Sequence, residues 1–119
     1  MAAVKVQAIY ERALAVLGKT EEGTDYPLAD RVPALLGPYL QTLNLYRDDA
    51  DKIGPVKTLQ DKMELTDNEA EALAYCLAAV AGSEAGISQF ALKIILENRN
   101  ALMGAFTGGF EDIGEGHLL

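Results

Sequence analysis

One cysteine and one histidine in 119 residues exclude a disulfide framework and a Cys/His zinc site within one subunit. Cations are also scarce. With Lys plus Arg at 10 against Asp plus Glu at 18, the formal charge is -8. Unassisted adhesion to nucleic acid or to an anionic membrane is therefore disfavoured, because both depend on clustered cations. No run approaches the roughly 18 consecutive apolar residues of a spanning helix. The stretch Met1-Ala2-Ala3-Val4-Lys5-Val6-Gln7 has neither a basic n-region with an apolar h-region nor a small-residue cleavage site. The expectation is a soluble chain without a signal peptide, in a reducing, cytoplasmic setting. Against these absences, 50% of residues are apolar and 24% charged, a globular balance. At 12.8 kDa that means one domain with one core.

Apolar residues at Val6, Ile9, Tyr10, Ala13, Leu14 and Leu17 follow the three-and-four spacing of a helix over 6–17, which Gly18 ends. Residues 19–27 read as a loop closed by an Asp25 cap with Pro27 in the following first turn. A second stripe, Leu28, Val32, Leu35, Leu36, Tyr39, Leu40, Leu43 and Tyr46, stays in phase across Pro33 and Pro38. That continuity favours one helix beginning near Arg31 and bent at Gly37-Pro38 over two short ones. Residues 47–57 read as an exposed connection, and 56–65 as either a short strand or a single turn. Thr66-Asp67-Asn68-Glu69 has the form of a capping box and opens a third, alanine-rich helix over 67–81, with Leu73, Cys76, Leu77 and Val80 on one face and Gly82-Ser83 as its stop. A fourth helix puts Ile87, Phe90, Ala91, Ile94, Ile95, Ala101 and Leu102 inward and ends at Gly104. The predicted fold is all-α, a small bundle of about four helices, with residues 1–104 as the domain and 105–119 as a flexible, Gly-rich C-terminal arm.

No catalytic constellation emerges. His117 lies in the glycine-rich tail with no Ser, Cys or Asp held by a rigid element beside it. Cys76 falls on an apolar stripe, as a small buried hydrophobe does. The cluster Asp48, Asp49, Asp51 fails as a calcium loop, because Ile53 stands at a ligating position and Gln60 where a bidentate Glu is required. No metal or cofactor is expected. Residues 104–109 lack the Gly-Lys-Ser/Thr ending of a phosphate cradle. The third helix opens on Asp67, Glu69 and Glu71 and carries no cation, which opposes sequence-specific DNA readout. What remains is the arm, whose Phe106, Phe110, Ile113, Leu118 and Leu119 are candidate anchors for a partner.

The opening Ile9-Tyr10-Glu11-Arg12-Ala13-Leu14-Ala15-Val16-Leu17-Gly18 resembles the first helix of the small adaptor, or head-completion, proteins of tailed phages. Residues 56–67, followed by Glu71-Ala72-Leu73-Ala74-Tyr75-Cys76-Leu77-Ala78-Ala79, resemble that family's polar approach and its "Ala-Leu-x-Tyr-Gly-Leu-Ala-Ala" helix. Cys76 stands where the family has Gly, and Met63 where Leu is usual. The likeness covers most of 6–104. It implies a non-enzymatic head-tail connector subunit that forms a homo-oligomeric ring between portal and tail proteins, in the virion or in the bacterial cytoplasm during assembly. DNA passes through such a ring, and an acidic subunit does not grip phosphates. Two other readings stand beside it. One is an intracellular acidic helical module that binds a peptide or protein between its second and third helices. The other is a small enzyme whose site is assembled between subunits from Tyr, Asp and Glu.

Overall fold

A computed structural model describes residues 2–18, 29–85 and 87–107. Its centre is set by the capping box. Glu69 N–H donates to Thr66 Oγ1 (3.1 Å) and Thr66 N–H donates to Glu69 Oε1 (2.8 Å), which satisfies donors that the first turn of a helix otherwise leaves open. From that start a helix, α3 once the chain order is followed, runs over Asp67–Ala85.

The elements in chain order are β1 (Ala2–Lys5), α1 (Val6–Val16), a 3-10 turn (Ala29–Arg31), α2 (Val32–Asn44), a second 3-10 turn (Asp49–Asp51), β2 (Lys62–Leu65), α3, α4 (Gln89–Leu102) and a last 3-10 segment (Met103–Thr107). The molecule is thus a small four-helix bundle carrying a two-stranded sheet. Helix α3 is its axis. Ala72, Leu73, Ala74, Cys76, Leu77, Ala78, Ala79 and Ala81 are all buried. Methyl-sized side chains on several faces let neighbouring helices approach closely from more than one side. Against α3 pack Val6, Ile9 and Ala13 from α1, and Val32, Leu36, Leu40 and Leu43 from α2.

β1 and β2 pair antiparallel, with Ala2 opposite Leu65 and Val4 opposite Met63. Strand β2 alternates as a half-buried strand must, Met63 and Leu65 inward and Lys62 and Glu64 outward. The pairing continues into α1, where Val6 N–H donates to the Asp61 carbonyl (2.9 Å) and Gln7 N–H to the Leu59 carbonyl (2.8 Å). Those bonds stand in for a side-chain cap, which Lys5 does not supply. The strand alternative for 56–65 is thereby realised at its C-terminal end. Strand β1 has no counterpart in the sequence reading.

Both prolines of α2 are accommodated in one continuous helix, as the unbroken stripe predicts. Pro33 occupies the second position, where no intrahelical donor is missed, and Pro38 lies on the exposed side. Gly18 takes φ +75° just past α1, the left-handed stop expected of it. The third helix does not stop at Gly82-Ser83. Gly82 is inside α3 because a Cβ there would stand 2.6 Å from Ile87 Cδ1 and 3.1 Å from Leu17 Cδ2; it is a packing glycine, not a terminator. The predicted 19–27 loop, with Asp25 and Pro27, lies outside the described residues.

Arg47 ties the layers together. Its Nη2 donates to Glu69 Oε1 (2.8 Å) and to the Glu64 carbonyl (2.9 Å), and Nη1 donates to the Asp51 carbonyl (3.0 Å). The side chains of Arg47 and Glu69 are 7% and 9% exposed, unlike the Arg12–Glu71 pair at 49% and 34%. Removing one member of a buried pair strands the other charge. Arg47→Ala is therefore expected to cost about 3–5 kcal/mol, whereas Arg12→Ala costs less than about 1 kcal/mol beyond lost packing. Urea unfolding midpoints of the two variants check the contrast.

Candidate functional site

Helix α4 presents its surface differently from the predicted phase. Ser88 caps it, accepting from Ala91 N–H at 3.1 Å. Ile95 is buried, Ala91, Leu92, Leu96 and Leu102 are half-buried, and Arg99 leans toward the Tyr39 phenol and the Cys76 thiol. Phe90 and Ile94, predicted inward, are 74% and 42% exposed. The helix is rotated so that Leu92, Leu96 and Arg99 face α3 across Ala79, Val80, Ser83 and Glu84. One turn apart on the outer face, Phe90 and Ile94 form a stripe flanked by the exposed Lys93.

A second exposed apolar pair lies where α2 ends. Leu45 is 79% exposed and Tyr46 is 59% exposed, so the predicted stripe of the second helix stops at Leu43. Arg47 diverts the backbone there, and Asp48, Asp49 and Asp51 follow at the surface. Asp49 pairs with Lys52 at 2.9 Å, and Asp51 gives its carbonyl to Arg47. Next to this end, Asn44 holds the chain at Ile53 by two bonds of 2.9 Å, Nδ2 donating to the Ile53 carbonyl and Ile53 N–H donating to Oδ1. The clasp leaves a groove of about 300 Å³ between α2 and residues 53–56, lined by Pro33, Gly37, Leu40, Ile53, Pro55 and Val56. It is bounded by α2 and that connection, whereas the sequence reading sets a groove between the second and third helices, where Leu36, Leu40 and Leu43 are packed shut.

The predicted anchors separate. Phe106 is 3% exposed, packed in the core from the 3-10 segment Met103–Thr107. The chain does not become an arm at 105, because Gly104 continues the turn instead of ending it. Phe110, Ile113, Leu118, Leu119 and His117 lie outside the described residues. Cys76 is buried beside Met103 (Sγ to Sδ 3.6 Å), and burial pushes its thiol up to about 11, the opposite of what a nucleophile requires. The Glu71 carboxyl is held below its ordinary range by the hydrogen bond from Arg12. Among the described residues no three His, Cys, Asp or Glu side chains gather as a metal site, no buried side-chain polar atom lacks a partner, and no helix is long and apolar enough to cross a membrane.

Compared with protein-family models, curated proteins and solved structures, the chain matches none. The surface itself therefore carries the functional argument. Leu45, Tyr46, Phe90 and Ile94 are the residues that sequence reasoning missed, having assigned Tyr46, Phe90 and Ile94 to the interior. Glu97 was the available signal: at helical spacing it falls on the side of Phe90 and Ile94, so a phase that buries those two turns its carboxylate toward the core as well.

Two outcomes follow. Phe106→Ala should lower stability by about 3–5 kcal/mol, as aromatic truncation in a core does, and deleting 105–119 should lower it comparably; thermal melts of both check this. Cys76 should resist a thiol reagent at neutral pH in the native protein and react stoichiometrically once urea unfolds it.

Proposed function

We propose that the chain is a non-enzymatic structural subunit of a tailed phage or prophage, a head-tail connector adaptor that assembles as a ring between portal and tail. The observation that carries this reading is the pairing of a small acidic helical domain with four large apolar side chains left at its surface among the described residues. Scattered single hydrophobics are ordinary on a protein surface. Here they come in adjacent pairs on defined helix ends, the arrangement expected where another chain completes the burial. The likeness of residues 9–18, 56–67 and 71–79 to the adaptor family supports that identity for the assembly. DNA passing through the ring would meet a net-acidic subunit, which repels phosphate and lets the duplex slide. Phe110, Ile113, Leu118 and Leu119 are proposed as anchors for a partner chain.

A second reading has its own observation. The apolar groove between α2 and residues 53–56 is of a size to take two or three side chains of a bound peptide, which would suit an interaction module.

Negative-stain microscopy and sedimentation at raised concentration, alone and with a portal ring, separate the two. Rings alone or on the portal are expected, and deletion of 108–119 should weaken portal docking without reducing the helical circular dichroism. A chain that stays single even on the portal sinks the connector reading, and a peptide seated on Ile53 and Val56 in that same chain selects the module.

A further inference from the structure

The two exposed apolar pairs stand at opposite ends of α3. Leu45 and Tyr46 adjoin Arg47, whose guanidinium reaches Glu69 in the first turn of α3. Phe90 lies just beyond Ile87, whose side chain rests on Gly82 near the last turn and whose N–H donates to the Gly82 carbonyl at 3.2 Å. Glu69 and Gly82 are about 20 Å apart at the 1.5 Å rise of a helix. One subunit therefore cannot bring its own two patches together.

Their charges are opposite. Beside Phe90 and Ile94 stand Lys93, which has no ion pair among the described residues, and the N-terminus of α4 with its partial positive charge. Beside Leu45 and Tyr46 stand Asp48, Asp49 and the C-terminus of α2 with its partial negative charge. Glu97 also lies on the stripe's side of α4, one turn farther from that N-terminus than Lys93. Lys52 already pairs with Asp49 at the other patch, whereas Asp48 has no ion pair among the described residues.

We propose that the occupant of each patch is a second copy of this chain, joined head to tail: the Phe90–Lys93–Ile94 face of one subunit seats on the Leu45–Tyr46–Asp48 end of the next. The proposal rests on the connector reading and names its subunit contact. A contact between two different patches is heterologous, so every subunit keeps one of each free for a further neighbour, and the array closes into a ring when the rotation allows. Two like patches meeting about a two-fold axis would stop at a dimer. They would also set Lys93 against Lys93, or Asp48 against Asp48.

The test uses the full chain and two double variants at exposed positions, Phe90→Gln/Ile94→Gln and Leu45→Gln/Tyr46→Gln, each checked for unchanged circular dichroism and melting. Sedimentation velocity should show the wild type assembling at raised concentration and each variant alone at least about tenfold weaker, as loss of an aromatic or aliphatic anchor implies. Lys93→Glu should weaken assembly in the same direction. The decisive result is the equal mixture. The intact end of one variant meets the intact stripe of the other, so a species of two chains forms and grows no further.

The proposal is overturned if both variants assemble like the wild type, if only the Phe90/Ile94 variant is impaired, or if the mixture stays single where the wild type assembles. It is also overturned if deletion of 108–119 alone releases Phe90-dependent association, since the chain's own end is then the occupant. Wild-type rings that survive both variants remove this contact and leave the connector reading. A wild type that stays single both alone and on a portal ring removes both.

Discussion

The fold depends on a cation placed where four segments meet. Arg47 follows the last turn of α2, and its guanidinium fork serves the carbonyls of Asp51 and Glu64 and the carboxylate of Glu69 at once. Planarity and several donors make arginine suited to this, since a lysine ammonium is a point charge with no fixed fork. The same Glu69 oxygen that receives Arg47 also receives the Thr66 N–H, so the start of the central helix and the exit from α2 are set by one carboxylate. A buried ion pair is weak evidence for stability in general. Its value here is geometric, because it fixes where α2 ends and therefore that Leu45 and Tyr46 point to solvent.

From that anchor the rest follows by packing. An alanine-rich α3 can be surrounded only if its neighbours come close, and Gly82 shows how close: Leu17 at the C-terminal end of α1 and Ile87 from the approach to α4 both crowd the space a Cβ would take. The cost of such an axis is that small side chains bury little area each. The larger side chains of α1, α2 and β2, together with Phe106, make up the difference. Phe106 closes the core from a segment with Gly104 before it and Gly108-Gly109 after it in sequence, which is why composition alone assigns it to a free arm.

How far the sequence revealed this depended on whether a signal was local. The capping box, the Gly18 stop and the start of the second helix near Arg31 are local signals, and each appears in the structure as read. Strand β1 was not legible because Ala2-Ala3-Val4-Lys5 has no strand character of its own; it exists because β2, some sixty residues later, offers an edge. The phase of α4 was ambiguous for a different reason. Apolar residues surround that helix, so two stripes fit the same spacing, and in the structure the stripe that faces α3 is the one that also carries Arg99, near Tyr39 and Cys76. The surface patches were lost in the same step, since a residue wrongly placed inside cannot be recognised as a contact. The fold class was thus readable from periodicity, and the candidate site was not, because it consists of the residues that break the periodic rule.

A chain of charge -8 that associates with itself, as proposed, looks at first like a contradiction. Screening resolves it. At physiological ionic strength the Debye length is about 8 Å, so acidic groups far from a contact contribute little repulsion across it, and the local composition of the facing patches decides. In the proposed contact Lys93 and a helix N-terminus, with Glu97 a turn farther along, would face Asp48 and a helix C-terminus, so the local balance would depend on these few groups and not on the anionic remainder. Net charge and contact charge can therefore serve different ends in one small domain: in the proposed assembly the first would keep polyanions from adhering, and the second would orient a neighbour about an apolar centre.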